Sequence, residues 1–200
     1  MPSSGSELPL VDAPGPDERA DAARNRERIL HAAAGVFAAH PPGKVTMNDL
    51  ALAAGVGRAT LYRRYPSVGA VAEALLDEHE RQLQAGILSG PPPLGPGASP
   101  SERLAAFYAA MVTLLDQHAH LVLGAEIGQE RYRTGAYEFW RAHVHHLLSE
   151  GGAPDVDALC DLVLAPLDPS VYLHLRDRQI GTDRIQGALA FLAKAALGPR

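Results

Sequence analysis

The sequence predicts an all-α protein of about nine helices, with a small N-terminal helical module ahead of a larger helical body. Three observations support this class. Apolar residues recur every three to four positions through most of the chain, no segment alternates apolar and polar residues as a strand would, and Pro/Gly-rich stretches separate the periodic segments. With 200 residues, of which 46% are hydrophobic, the chain can bury a substantial core, which excludes wholesale disorder.

The N-terminal segment predicts a disordered tail followed by one long helix. Residues 1–18 combine Pro, Gly, Ser and acidic residues and bury too little apolar surface to offset the entropy of ordering. From about residue 19, apolar residues recur at helical spacing: Ile29, Leu30, Ala33, Val36 and Phe37. We expect this first helix to end near His40, before a Pro-Pro-Gly sequence.

Two short helices around a glycine turn come next. Thr46 precedes a helix predicted over 47–54, and its hydroxyl can accept a hydrogen bond from the first turn. Gly55 follows, where a positive φ costs little, and a second short helix is predicted over 58–65. Ser67 is placed to cap a fourth helix over about 68–88.

The remainder of the chain predicts further helices after a Pro/Gly-rich connector at 89–100. Periodic apolar residues place them at about 104–115, 120–132, 137–148, 155–165, 171–176 and 182–196. The segments at 155–165 and 171–176 are one predicted helix that Pro166 and Pro169 interrupt, and Thr182 is placed to cap the last.

The segment 44–66 carries the clearest functional pattern. Two short helices around a glycine turn are typical of a helix-turn-helix, whose second helix enters the major groove of DNA. The side chains suited to phosphates or base edges are Lys44, Thr46, Arg58, Thr60, Tyr62, Arg63 and Arg64. Residues 19–65 hold eight Lys and Arg against three Asp and Glu, a net +5, although the whole chain is −5. The acidic total therefore hides a basic module.

The stretch from Arg24 to about Ala70 resembles the N-terminal DNA-binding domain of TetR-type transcriptional regulators. The resemblance is carried by Arg28-Ile29-Leu30, Ala32-Ala33, Phe37, Thr46, Leu50-Ala51, Ala54-Gly55-Val56 and Thr60-Leu61-Tyr62. It implies that Thr46 caps the first short helix and touches a phosphate, and that Arg58, Ala59, Thr60 and Arg63 face bases. It also implies that Tyr62 and Arg64 reach the backbone or base edges. Val68 departs from the family, which commonly has a phosphate-binding Lys there.

The resemblance divides the chain into a DNA-binding domain at 19–67, with the motif at about 45–65, and an effector-binding and dimerisation domain at 68–200. The effector-pocket candidates are Phe107, Tyr108, Met111, Tyr137, Trp140, Val144 and Tyr172, although aromatic residues at helical spacing also suit a core. The candidates for a homodimer interface are Leu162, Val163, Ile185, Leu189, Leu192 and Ala196, which could also close the chain's own core.

We therefore expect a dimeric transcriptional regulator, a repressor that leaves operator DNA when a small-molecule effector binds. The alternatives are a ligand-independent regulator, or a helical enzyme or sensor with an incidental helix-turn-helix.

We expect no catalytic site, since no nucleophile or phosphate-loop motif is found. We expect no cofactor and no metal, although His118, His120, His143, His145 and His146 leave a metal site as an alternative. The single Cys, the missing leader and the missing apolar span predict a cytoplasmic protein without a membrane segment.

Overall fold

The computed structural model describes residues 16–40, 42–125 and 135–198, and within these ranges the chain is helical and contains no strand. The helices are α1 (Pro16–Ala39), α2 (Met47–Ala54), α3 (Arg58–Arg64), α4 (Val68–Ser89), α5 (Pro100–Ala125), α6 (Gly135–Glu150), α7 (Val156–Leu164), α8 (Pro169–Asp177) and α9 (Thr182–Leu197). Short 3-10 turns occupy Pro42–Lys44 and Ala165–Leu167. The predicted tail falls mainly on residues 1–15, which lie outside the described residues.

Helices α1 to α3 and the first turns of α4 share one buried core, and we call this unit the head. Ile29, Phe37, Leu50 and Leu61 lie in this core, and so do Val71, Ala72 and Leu75 of α4. The predicted division at residue 67 is therefore too sharp, because α4 begins in the head and continues beyond it.

The rest of α4 and helices α5 to α9 form a second core, and we call this unit the body. Helix α5 lies at its centre and packs on α4, α6, α8 and α9. Because neither Gly nor Pro interrupts residues 104–123, α5 runs unbroken to Ala125, and the predicted separate helix from about 120 is wrong at its start. Its predicted remainder at 126–132 lies outside the described residues.

The helix ends test the predicted caps. Thr46 and Ser67 both accept hydrogen bonds from the first turns of α2 and α4, as predicted. Pro166 lies in the 3-10 turn and Pro169 opens α8, so these prolines do separate α7 from α8. Thr182 does not cap α9, because Gly181 occupies the cap position and Thr182 is already the first helical residue. No helix in the described part of the chain is long and apolar enough to cross a membrane.

Candidate functional site

The turn between α2 and α3 holds the two helices in a fixed relation. Gly55 adopts the left-handed conformation, with φ 60° and ψ 36°, which few residues other than Gly adopt at low cost. The next amide, of Val56, donates to the carbonyl of Ala51 at 3.1 Å and closes the C-terminus of α2. Leu61 of α3 is fully buried against the head core. Together these contacts fix which face of α3 points outward.

The outward face of α3 carries most of the predicted DNA-contacting side chains. Arg58, Ala59, Tyr62 and Arg63 are exposed, and Thr60 is half-buried beside them. Successive residues of a helix are about 100° apart around its axis. Because Leu61 faces the core, these neighbouring positions lie on the sides of α3 that face solvent. The face therefore presents two guanidinium groups, a phenol and small side chains on a short helix that could enter a groove.

Arg64 lies at the C-terminus of α3 and has a structural contact that the sequence did not indicate. Its Nη1 donates to the backbone carbonyl of Ala22 in α1 at 2.9 Å. The side chain remains exposed and keeps further N–H donors. Arg64 thus ties α3 to the beginning of α1, which stabilises the position of the outward face.

Lys44 and Thr46 lie where α2 begins. Lys44 is exposed at the end of the 3-10 turn. The Thr46 hydroxyl accepts from the backbone N–H of Asp49 at 3.2 Å and donates to the Asp49 carboxylate at 2.7 Å. The hydroxyl of Thr46, and then its backbone N–H at 2.9 Å, donate to the Asp49 carboxylate and lower the pKa of Asp49. The predicted capping role of Thr46 is therefore confirmed, while its phosphate contact stays a prediction.

Val68 is the first residue of α4. Its packing explains why this position departs from the pattern of the resemblance. Its side chain is half-buried and packs on the head core. An apolar residue here adds to the packing of α4 against α1 to α3 rather than offering a cation at the helix start. Phosphate contacts are then expected from Lys44, Tyr62 and the arginines of α3.

Fold and surface together define a helix-turn-helix protein: a small basic head on a larger helical body. Residues 29–75 match the family model described as bacterial regulatory proteins, tetR family. This match covers the head and the first turns of α4, so the head carries the DNA-binding region that this family model describes.

The chain is also similar to curated relatives over this region and to solved structures in its fold. Two HTH-type transcriptional regulators from strains of Mycobacterium tuberculosis are each 40% identical over 62 residues, which is 31% of this chain and 31% of theirs. The matched segment thus spans about a third of these curated relatives. A TetR-family regulator from Rhodococcus sp. superposes with a TM-score of 0.66 and 17% identity, covering 87% of this chain and 99% of that one. The regulator FadR from Bacillus subtilis, solved with stearoyl-CoA, superposes with a TM-score of 0.64 at 17% sequence identity. The likeness covers 87% of this chain and 99% of that one.

The predicted effector-pocket residues lie mainly inside the body core. Phe107, Tyr108, Met111, Trp140, Val144 and Tyr172 are all buried there. The Tyr108 hydroxyl donates to the carbonyl of Val163 at 2.7 Å, and the Tyr172 hydroxyl donates to Asp116. Tyr137 is half-buried, and its hydroxyl donates to Asp161 at 3.0 Å, so we correct its role to a link between α6 and α7.

An open cleft lies beside this core, between the end of α4, the connector, α5 and α6. Its volume is about 430 Å³, and Ile87, Leu88, Phe139, Arg103 and His143 are among its lining residues. Sequence reasoning missed Arg103, and it considered His143 only as part of an alternative metal site. The signal for Arg103 was its spacing, because residues 103, 107, 111 and 114 share one face of α5 and the other three are apolar.

The predicted dimer residues divide between core and surface. Ile185 and Leu189 are buried in the body core, so we correct their role from interface to core. Leu162 and Leu192 are exposed, and Val163 and Ala196 are half-buried. Sequence reasoning missed Phe191, whose side chain is 71% exposed on α9. The exposed stripe of α9 comprises Gly187, Ala188, Phe191, Leu192 and Ala195.

The histidines singled out from the sequence have separate surroundings. His118 is buried, and its Nε2 lies 2.6 Å from Nδ1 of His79 on α4. Burial and the adjacent His79 ring lower the pKa of His118 to about 4. His145 lies 3.7 Å from Asp157, and His146 lies 3.6 Å from Glu150. No group of three metal-ligating side chains occurs among the described residues, which do not include the side chain of His120.

Cys160 is fully buried, as expected for a free Cys in an apolar helix. Its thiol donates to the backbone carbonyl of Arg141 at 3.2 Å, which joins α7 to α6. Burial raises the pKa of this thiol, so the residue acts in packing.

Proposed function

We propose that the chain is a dimeric, cytoplasmic transcriptional repressor that binds operator DNA through its head and releases it when a small molecule binds in the body. The observation that carries the DNA-binding part is the outward face of α3. Leu61 anchors this helix, and Arg58, Tyr62 and Arg63 project from it into solvent. Guanidinium groups suit both guanine edges and phosphates, and the net +5 over residues 19–65 favours a polyanionic partner.

Dimerisation is supported by the surface of α9. Phe191 is 71% exposed and Leu192 is 44% exposed, and they adjoin small residues that allow a second helix to approach closely. One short α3 offers few base contacts, so pairing of two heads about 34–36 Å apart would double them along one face of the duplex.

Sedimentation measurements should show a dimer that Phe191→Glu converts to a monomer. The control Leu52→Glu changes an equally exposed Leu on the head and should leave the dimer intact.

The effector part is supported by the place of the cleft along α4. Ile87 and Leu88 at the end of this helix line the cleft, while Val71 and Leu75 near its beginning lie in the head core. A ligand that displaces the end of α4 would therefore tilt the head, which changes the distance between two heads in a dimer. Binding would then shift the population from a DNA-competent to an incompetent arrangement. The FadR neighbour, solved with stearoyl-CoA, shows that a protein of this fold binds a small molecule.

The test is selection of duplexes from random double-stranded DNA by the full chain, followed by affinity measurements at several salt concentrations. We expect an enriched two-fold symmetric sequence, and binding that weakens steeply with salt because phosphate contacts release counterions. Absence of any enriched sequence would overturn the proposal. A helical enzyme with an incidental helix-turn-helix would give that negative result.

A further inference from the structure

Arg103 is a buried cation to which no described residue supplies a compensating charge. Its side chain is only 8% exposed, its Nε has no hydrogen-bond partner, and it forms no ion pair with any described residue. The adjacent Glu102 is engaged elsewhere, because its carboxylate accepts from the hydroxyl of Ser99 at 2.7 Å. A buried guanidinium without a counter-charge loses hydration that no ion pair replaces, so this arrangement costs folding free energy.

A second buried polar group faces the same cleft. His143 of α6 is 7% exposed, and its Nε2 also has no hydrogen-bond partner. Burial, and then the charge of Arg103, lower the pKa of His143 to about 4, so the ring is neutral near pH 7. Its ring packs edge-on against Phe107 at 5.4 Å between centroids, which holds the imidazole in place. Both Arg103 and His143 line the cleft of about 430 Å³.

Apart from His146, which is exposed and lies 3.6 Å from Glu150, the rest of the cleft is apolar. Ile87, Leu88 and Phe139 form its wall, and Leu88 is 65% exposed although it is a large aliphatic residue. The volume of about 430 Å³ falls within the range of small-molecule sites. A ligand that fills it would cover the apolar wall and place a polar end against Arg103 and His143.

We propose that the cleft between α4, α5 and α6 binds an amphipathic monocarboxylate, whose carboxylate pairs with Arg103 and His143 and whose hydrocarbon part covers Leu88 and Phe139. This inference rests on the proposed function for its role as effector. One guanidinium supplies one positive charge, which a carboxylate matches. A phosphate monoester carries about −1.5 to −2 charges near pH 7 and would leave buried negative charge uncompensated.

The test uses four probes without DNA: octanoate, octanamide, octyl phosphate and 4-phenylbutyrate. Calorimetry gives affinities, and the fluorescence of Trp140 gives a second readout. This Trp is the only one in the chain, and its ring lies 5.3 Å from that of Phe139. For the wild type we expect saturable binding of at least one carboxylate, with octanoate at least tenfold tighter than its amide. Equal affinity for acid and amide, tighter binding of octyl phosphate, or no binding of either carboxylate would overturn the proposal.

The decisive variant is Arg103→Met, matched by Arg141→Met on α6. Arg141 is partly exposed and its charge is already paired with Asp161 at 3.3 Å. We expect Arg103→Met to lose at least tenfold in carboxylate affinity and the preference for acid over amide, whereas Arg141→Met retains both. Without ligand, Arg103→Met should have a higher Tm than the wild type, because it removes an unpaired buried charge. An unchanged preference for the acid, or a lower Tm, would contradict the assignment.

The two proposals fail separately. Carboxylate binding without any enriched DNA sequence would remove the regulator function and leave the cleft assignment standing. An enriched DNA sequence without carboxylate binding to the wild type would remove only the cleft assignment.

Discussion

The head and the body place their arginines in opposite environments. On the head, Arg58 and Arg63 are exposed on a short helix, where water solvates them until a partner arrives. In the body, Arg103 is buried beside a cleft and forms no ion pair with any residue that the structure describes. A large polyanion is recognised by an exposed surface on a rigid support, whereas a small anion requires a concave site that removes it from water.

Charge follows the same division. Residues 19–65 carry a net +5, while residues 66–200 carry ten Lys and Arg against sixteen Asp and Glu. The acidic body should repel the DNA backbone and confine contact to the heads. The two regions also differ in support. The outward face of α3 depends on buried Leu61, on the turn at Gly55 and on the hydrogen bond from Arg64 to Ala22, whereas the cleft depends on the packing of three long helices.

The largest expected effect concerns the support of the outward face. Leu61→Ala should lower the free energy of unfolding by about 2–5 kcal/mol, because Leu61 is fully buried and truncation leaves a cavity. The matched control Leu52→Ala removes the same atoms from a side chain that is 73% exposed, and should cost less than about 0.5 kcal/mol. Urea unfolding measures both, and equal costs would mean that α3 is not seated as described.

Acid should weaken the body through its buried histidines. The pKa of His118 is lowered to about 4, so its neutral form is favoured in the folded state and the unfolded chain takes up the proton first. Its stabilisation is present above about pH 6.5 and is lost as pH falls toward 4, amounting to about 2 kcal/mol between pH 7.5 and 5. His118→Gln should reduce this pH dependence, whereas His174→Gln, at an exposed position, should not. Denaturant midpoints at pH 7.5 and pH 5 measure the loss of stability in each variant. An equal loss in the His118→Gln and His174→Gln variants would contradict the prediction.

A pair of glycine substitutions should have opposite signs. Gly55 has φ 60°, so Gly55→Ala should destabilise the head by about 1 kcal/mol through backbone strain, although no atom lies within 4 Å of the added Cβ. Gly35 lies inside α1, also with open space at its Cβ, so Gly35→Ala should stabilise by about 0.5–1 kcal/mol. Thermal unfolding of both variants checks the signs, and a gain from Gly55→Ala would contradict the left-handed turn.

The sequence predicted the head better than the body, and the reason is physical. The caps at Thr46 and Ser67 and the turn at Gly55 depend on residues within three or four positions, so local pattern suffices. Arg64 bonding to Ala22 joins residues 42 positions apart, and the burial of Arg103 depends on how α4, α5 and α6 pack. The contact of Arg64 leaves no local pattern in the sequence, and the spacing of Arg103 places it on an apolar face of α5 without indicating the cleft. The same applies to Ile185 and Leu189, whose apolar stripe suited either the chain's own core or a partner.

The most direct test of the central claim is the affinity of Arg63→Ala for the selected duplex and for a scrambled one, measured by fluorescence anisotropy at fixed salt. Arg178→Ala is the control, because it removes an exposed Arg from the end of α8 in the body. We expect Arg63→Ala to lose about 1–3 kcal/mol on the selected duplex, about tenfold to a hundredfold, together with most of its selectivity. Arg178→Ala should retain both. Equal losses in the two variants, or undiminished selectivity in Arg63→Ala, would contradict the assignment of α3 as the helix that reads DNA.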